Sequence, residues 1–550
     1  MKLRAPDIVM SPVRMGAMQP TRFSTSRSLI AKMTAERWTI TRPEFAIDGE
    51  GNGTARYHIA VDERWSFEFV IFSAAADRTV ERTDRIIGRH WDMMGALLEG
   101  SADDERIETT KRELPKLYGG RASDGTLVWC RANRSMRAFD YTVGRLAEGL
   151  QPDPEVLGSV CYLMRNTGLD GNGTFGTRTF AAYEDDHPLG APYHAQMLTS
   201  YLMREFSLDL VEHIAKLTSP SAVALSDDYR RFLGLGNASG LGLVMFAKNH
   251  PDWMDHWITV REEALAAGRA LLLSEVGEQI GDRLRRAARS RRQDRMRYSF
   301  QSSGPVVAAD LELLSDELSA LPASAEVDVL LRFAEANVGV EACEILAGIV
   351  IDSVSPDQTG DALAAEPAAS VAPTMRIDEL RRLLDDAYAW APAPLTPAPT
   401  PAEMAWYKSA NAEEPRRGPL GELPERFEDM TLDIPRAVAD LRAALAGRAD
   451  DSTVGALLRA EPEQRGFVER IVRLRDRSFH TIHADQRDPE FNPSRIIRFF
   501  NSAVYGLDKT KEDGPTGVVG VMFHGAPTPA DIAAGIGADY SFPTDPKADN

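Results

Sequence analysis

Three stretches near the start alternate apolar and polar residues and are rich in aromatic and β-branched types: Trp38–Ile47, Ala55–Val61 and Ser66–Ser73. A glycine-punctuated turn at 49–53 separates the first two, so the pattern predicts a small antiparallel meander. The period then lengthens. Arg82–Leu98 places Ile86, Ile87, Trp91, Met94 and Leu97 on one helical side, Thr126–Cys130 is a further short strand, and Met136–Glu148 follows as a helix. From about 153 to 351 helical spacing dominates, over Val156–Met164, Tyr193–Lys216, Asp227–Phe232, Ser239–Lys248, Asp252–Arg297, Leu311–Leu321 and Glu326–Ala336. Gly268, Gly277 or Gly281 bends or divides the longest of these.

This pattern predicts a mainly α chain with a minor α+β N-terminal portion, a large multi-helix core, and a C-terminal helical region after a Pro/Ala-rich linker. The expected divisions are a flexible basic arm (1–35), an α+β domain (36–150), a helical core (151–352), a linker (353–403) and a mostly helical C-terminal region (404–550). The linker composition, ending in Ala-Pro-Ala-Pro-Leu-Thr-Pro-Ala-Pro-Thr-Pro-Ala at 391–402, builds no packed core of its own. Within it Arg376–Trp390 reads as an isolated helix. The C-terminal region offers helices at Ile434–Leu445, Gln464–Arg475 and Ser494–Val504 and a strand at Val518–Phe523. No repeat of 20 to 50 residues is apparent.

Composition narrows the function classes. With 550 residues the chain holds several cores without needing a disulfide or metal staple. A net charge of −19 argues against a general nucleic-acid binder. Three cysteines, none in a C-x-x-C pair, fit a reducing compartment, and the expected location is the cytoplasm. No apolar run approaches the length of a membrane span, so no membrane partner is expected. Residues 1–32 hold six basic residues against Asp7, a balance that resembles an organelle transit peptide in composition; a mobile basic arm is the favoured reading.

Chemistry concentrates in two glycine-rich segments. The first, Met164 to Arg178, contains Gly171-x-Gly173-x-Phe175-Gly176, a pattern similar to the phosphate-covering loop of protein kinases. No strand lysine, H-R-D or D-F-G run accompanies it, which excludes that activity. What survives is physical: glycines bring backbone N–H groups close to a ligand oxygen, and Arg165 and Arg178 flank them with positive charge. The second segment, Phe232 to Met245, holds Gly234-x-Gly236 but has no strand before it, which argues against a dinucleotide turn. It reads as a loop entering a helix capped by Asn237 or Ser239, an anion site at a helix start.

The expectation is that both loops meet at one end of the helical core. Arg165, Asn166, Gly171, Asn172, Gly173, Arg178, Asn237 and Ser239 would bind substrate, and His187, His194 or His250 would move a proton. This suits an enzyme of lyase or transferase type acting on a small carboxylate- or phosphate-bearing metabolite, with self-association allowed for. The sequence names no cofactor. His480 and His483 are a weak metal pair, and no metal site is assigned. Glu205, Asp209, Glu212 and His213 share one helix face, expected to be solvated. Arg131, Arg134 and Arg137 recur at spacing three near a helix start. Eight arginines crowd 282–297 and, with the Pro-rich linker, carry the alternative of a non-catalytic binding or assembly protein.

Overall fold

The computed structural model describes residues 3–76, 91–114, 125–171, 186–238, 251–295, 302–359, 371–395, 404–409, 416–419, 427–429, 433–475, 498–512 and 518–546. Helices make up about half of the described residues. The expectation of a mainly α fold with a minor sheet is nevertheless overturned, because one nine-stranded mixed sheet organises the molecule. Its strands are β1 (Thr39–Ile47), β2 (Gly53–Ala60), β3 (Ser66–Ser73), β4 (Met93–Glu99), β5 (Thr126–Arg134), β6 (Tyr162–Gly171), β7 (Gly234–Ala238), β11 (Lys509–Glu512) and β12 (Val518–Met522). A separate three-stranded sheet holds β8 (Met404–Ser409), β9 (Arg416–Pro419) and β10 (Phe427–Asp429). The large sheet runs β1-β2-β3-β4-β5-β6-β7-β12-β11, antiparallel except where β6 meets β7.

Two expected helices give way to strands. Residues 82–90 of the expected helix Arg82–Leu98 lie outside the described residues and its remainder forms β4, while the Val156–Met164 period resolves into a short helix, Pro154–Gly158, followed by β6. β4 is apolar on both sides: Met93 and Leu97 enter the main core, while Ala96 and Leu98 pack with Val70, Trp129 and Ile107 under helix Asp104–Glu113. A strand buried on both faces loses its alternation and reads like a buried helix.

The main core lies on the other face of the sheet, around helix His194–Thr218. This helix is buried along most of its length and packs against β4–β7, helix Thr25–Ala35 and helix Phe139–Ala147. Beyond the sheet, helices Pro251–Arg269, Leu273–Gln293, Gly304–Ala320, Val327–Asn337 and Val340–Ile351 continue this core. A break at Ala270–Leu272 divides the long Asp252–Arg297 pattern.

A second core gathers helices Ile377–Ala387, Asp433–Leu445, Val454–Ala460 and Arg465–Leu474. Ile377, Leu380 and Leu384, within the stretch read as linker, are fully buried in it. Both helical groups close in the same way. Leu273 N–H donates to Ala325 O and Val327 N–H to Leu271 O, each at 2.9 Å. In the second group Ile377 N–H donates to Ser452 O at 2.9 Å and Val454 N–H to Met375 O at 2.8 Å. In each, a glutamate three residues into the helix accepts a backbone N–H: Glu275 from Leu272 and Glu379 from Arg376.

Residues 3–35, expected as a flexible arm, are packed. Arg4 bonds Glu262 at 2.6 Å and Glu344 at 2.9 Å, Arg14 pairs with Glu344, and Arg261 bonds Glu262 at 2.7 Å and Glu344 at 3.1 Å. Glu262 and Glu344 are buried. Burial by itself pushes the Glu344 carboxyl up, but Arg4, Arg261 and Arg14 outweigh it and hold it at about 2. Glu344→Gln therefore leaves three guanidinium groups short of a partner and is expected to destabilise the fold by about 3–5 kcal/mol at neutral pH. The sign follows from the depressed folded value: the contribution is full above the ordinary 4.5 and is lost as the pH falls toward 2. Urea titrations should show the gap between parent and variant closing on acidification; a gap that stays constant down to pH 3 would refute this role.

Candidate functional site

β6 and β7 bring the two glycine-rich segments side by side. Arg165 lies opposite Gly236, and Asn166 lies opposite Asn237, in the one parallel pairing among the described strands. Neither segment is the loop that was expected at these positions. Gly234, Gly236 and Asn237 lie within a strand, and Asn237 caps no helix there. Glycine allows close approach: a Cβ on Gly236 would come within 2.8 Å of the Tyr162 ring, and one on Gly168 within 2.7 Å of Arg131 Nε, which would have to shift. The Arg131 guanidinium thus lies close to Gly168, and it is also 5.4 Å from the centroid of the Trp91 ring. Asn166 is buried, and its Oδ1 accepts Gly168 N–H at 3.0 Å.

Because β6 and β7 are parallel, the chain leaves both at the same edge, which is where α/β sheets place ligands. Gly171 is the last residue of β6. Asn172, Gly173, Arg178, Ser239 and His250 lie outside the described residues, as does the expected helix Ser239–Lys248. At the opposite ends of these strands two non-glycine residues adopt left-handed backbone, Cys161 (φ 63°) and Phe523 (φ 57°). Between them Gly234 N–H donates to Cys161 O at 2.9 Å.

The two described histidines of the expected site, His187 and His194, are built into the packing. His194 Nε2 is 2.9 Å from Ser28 Oγ, and the ring is buried. Burial, with a contribution from Lys32, pushes it down to about 3. His187 Nδ1 accepts Leu189 N–H at 3.1 Å, and its ring meets Trp65 edge-on at 4.6 Å and lies near Phe67 of β3, three strands from β6. Burial pushes His187 down to about 4, against Asp186. A ring this far below neutrality is a weak base. We expect His194 to show no titration step between pH 8 and 5 in an NMR pH series of the imidazole resonances; a step in that range would restore it as a proton carrier.

The carboxylate face expected to be solvated is an ion-pair network. Arg230 bonds Asp209 at 2.8 Å, Glu212 at 2.7 Å and Glu205 at 3.4 Å, and His213 Nε2 bonds Ile47 O at 2.7 Å. Glu205 is 1% exposed; burial raises it, against Arg204 and Arg230. Arg131 and Arg134 lie in β5, ahead of any helix, and Arg134 N–H bonds Asp92 at 2.8 Å. The arginine-rich helix is largely matched within the chain. Arg283 and Arg286 bond Asp539, Arg295 bonds Asp545, Arg292 pairs with Glu312 and Arg291 reaches Gln19. Sequence reasoning missed Tyr57, Arg204 and Arg230, whose partners are remote in sequence and carry no local signal.

The cysteines are free and buried, and burial pushes each thiol up. Among the described residues no group of three or more His, Cys, Asp or Glu is arranged to hold a metal ion, and no helix is long and apolar enough to cross a membrane. His480 and His483 lie outside the described residues. Comparison of the chain with protein-family models, with curated proteins and with solved structures finds no match in any of the three.

Proposed function

We propose that the chain is an enzyme of lyase or transferase type acting on a small carboxylate- or phosphate-bearing metabolite at the edge where β6 and β7 end. The observation that supports this reading most is the register that sets Arg165 and Asn166 beside Gly236 and Asn237 on parallel strands. The register sets Arg165 with Gly236 on one face and Asn166 with Asn237 on the other, so in this reading Asn237 orients the ligand beside Asn166 and Arg165 contributes positive charge from the opposite face. The proton moves through His250, in the segment that follows β7, since burial holds His194 and His187 far below neutrality. Three free thiols suit a reducing compartment, and the cytoplasm is the setting this reading assumes.

The test is a thermal-shift screen of the full chain against dicarboxylates, inorganic phosphate, nucleotides and acyl-CoA compounds, followed by calorimetry. At least one anion is expected to stabilise the parent. Arg165→Ala and Asn237→Ala should each weaken that anion by roughly ten- to two-hundred-fold, the range of one charge-assisted hydrogen bond. Arg285→Ala is the control, since its side chain is 56% exposed and pairs only with Asp282 three residues away. Parental affinity in both strand variants, with parental melting, would place the ligand elsewhere.

A further inference from the structure

A cleft of about 350 Å³ opens between β1–β2, the middle of helix His194–Thr218, helix Asp227–Phe232 and Thr528–Ala530. This is the lower end of the range for small-molecule sites, so it suits a compact ligand. Its floor is fixed. Asp209 Oδ2 accepts the Tyr57 hydroxyl at 2.7 Å and Arg42 Nη1 at 2.8 Å, and Oδ1 accepts Arg230 at 2.8 Å. Glu205 is held by Arg230 and, through its other oxygen, by Arg204. Burial raises the Tyr57 phenol well above its ordinary value, with the Asp209 charge adding to it, so the hydroxyl stays a donor.

Two charged groups of the lining keep capacity in reserve, and they come from different walls. Arg42 sits where the β1–β2 register slips between Thr41 and Glu44, an irregularity that re-aims side chains. Its side chain is 42% exposed. One nitrogen is on Asp209, and the guanidinium lies over the Phe45 ring at 4.6 Å. A guanidinium carries five N–H donors in a planar fork, so a carboxylate-binding pair remains. On the opposing helix Asp227 is 78% exposed, and its nearest cation, Arg231, is 4.0 Å away and engaged by Asp531 at 2.9 Å.

The charges of the lining select the ligand. Three carboxylates, Glu205, Asp209 and Asp227, face two guanidinium groups, Arg42 and Arg230. A purely anionic ligand meets this surplus of negative charge, and a purely cationic one leaves the Arg42 fork empty. We propose that the cleft binds a small zwitterion, a free α-amino acid, with its carboxylate on Arg42 and its ammonium on Asp227. Ile40, Pro529 and Ala530 supply the apolar wall for its side chain. This site is separate from the β6–β7 edge and does not rest on the reading given for it.

The test is calorimetric titration of the full chain with the twenty free amino acids, each compared with its N-acetyl and carboxamide derivatives. At least one free amino acid is expected to bind, and blocking either end should weaken it at least about tenfold. Arg42→Gln and Asp227→Asn should weaken the same amino acid by a similar factor while melting like the parent, and Arg165→Ala should leave it unchanged. Arg42→Lys keeps the charge without the fork and should also weaken binding. The proposal is overturned if no free amino acid binds, if binding survives Arg42→Gln or Asp227→Asn, or if the N-acetyl derivative binds as well as the free form. Loss on Arg165→Ala would assign the amino acid to the β6–β7 edge instead.

Discussion

Arg204 holds three distant parts of the chain at one point. Its side chain has no exposure to solvent. Nε donates to Leu233 O at 2.6 Å, just before β7, and Nη2 donates to Arg230 O and, at 3.0 Å, to Ala526 O, just after β12. Nη1 meets Glu205 at 2.5 Å. A guanidinium taken out of water needs nearly all of its donors satisfied, or it is strongly destabilising. The demand is met only when helix His194–Thr218, the entry to β7 and the exit from β12 are all in place. The pairing of β7 with β12 joins the C-terminal hairpin to the N-terminal meander, and it lies directly beside this cation. The parallel β6–β7 junction and the cleft over Glu205 are both set by the same anchor.

Charge in this molecule is an internal material as much as a surface one. The runs of arginine that look like a mobile arm or a solvated helix end are matched by acids far along the chain. Arg27 reaches Asp508 and Ser541 and lies over Tyr540, while Arg283 and Arg286 hold Asp539. Burial opposes ionisation of Asp539, but these two arginines keep it at about 2. The residues that follow helix Pro529–Ala534 are thereby strapped between the arginine-rich helix and helix Thr25–Ala35. An assembly role for the arginine-rich helix loses support, because most of its described arginines already have partners within the chain.

What the sequence reveals follows from how each element is buried. Helices Asp227–Phe232, Ile434–Leu445 and Gln464–Arg475, and strands β1–β3, have sharp ends in the sequence, and their patterns match their structure to within a residue or two, β3 even though it is buried on both faces. β4 is covered on both faces and reads as helix. β6 and β7 fail differently: Arg165-Asn-Thr-Gly and Gly-Leu-Gly-Asn show no alternation, because glycine there admits Arg131 and Tyr162 rather than a turn. That Asn166 and Asn237 converge was anticipated, but through a helical bundle; the actual agent is strand register. The network around Arg230 was legible only as a shared helix face, since its cation comes from another element 18 to 25 residues along.

The same finding alters the weight of the glycines themselves. Glycine-rich sequence suggests a ligand loop because backbone N–H groups can then approach an anion. Gly168 and Gly236 are already explained by the side chains that lie over them, so they add nothing to a ligand argument. What remains is the direction of the strands and the polar pair upon them. A parallel step inside an otherwise antiparallel sheet requires a crossover, here the long helix His194–Thr218, and sends both chain segments out at one edge. Asn166 is already tied to Gly168 N–H, which leaves Asn237 as the member of that pair whose removal bears most directly on a ligand.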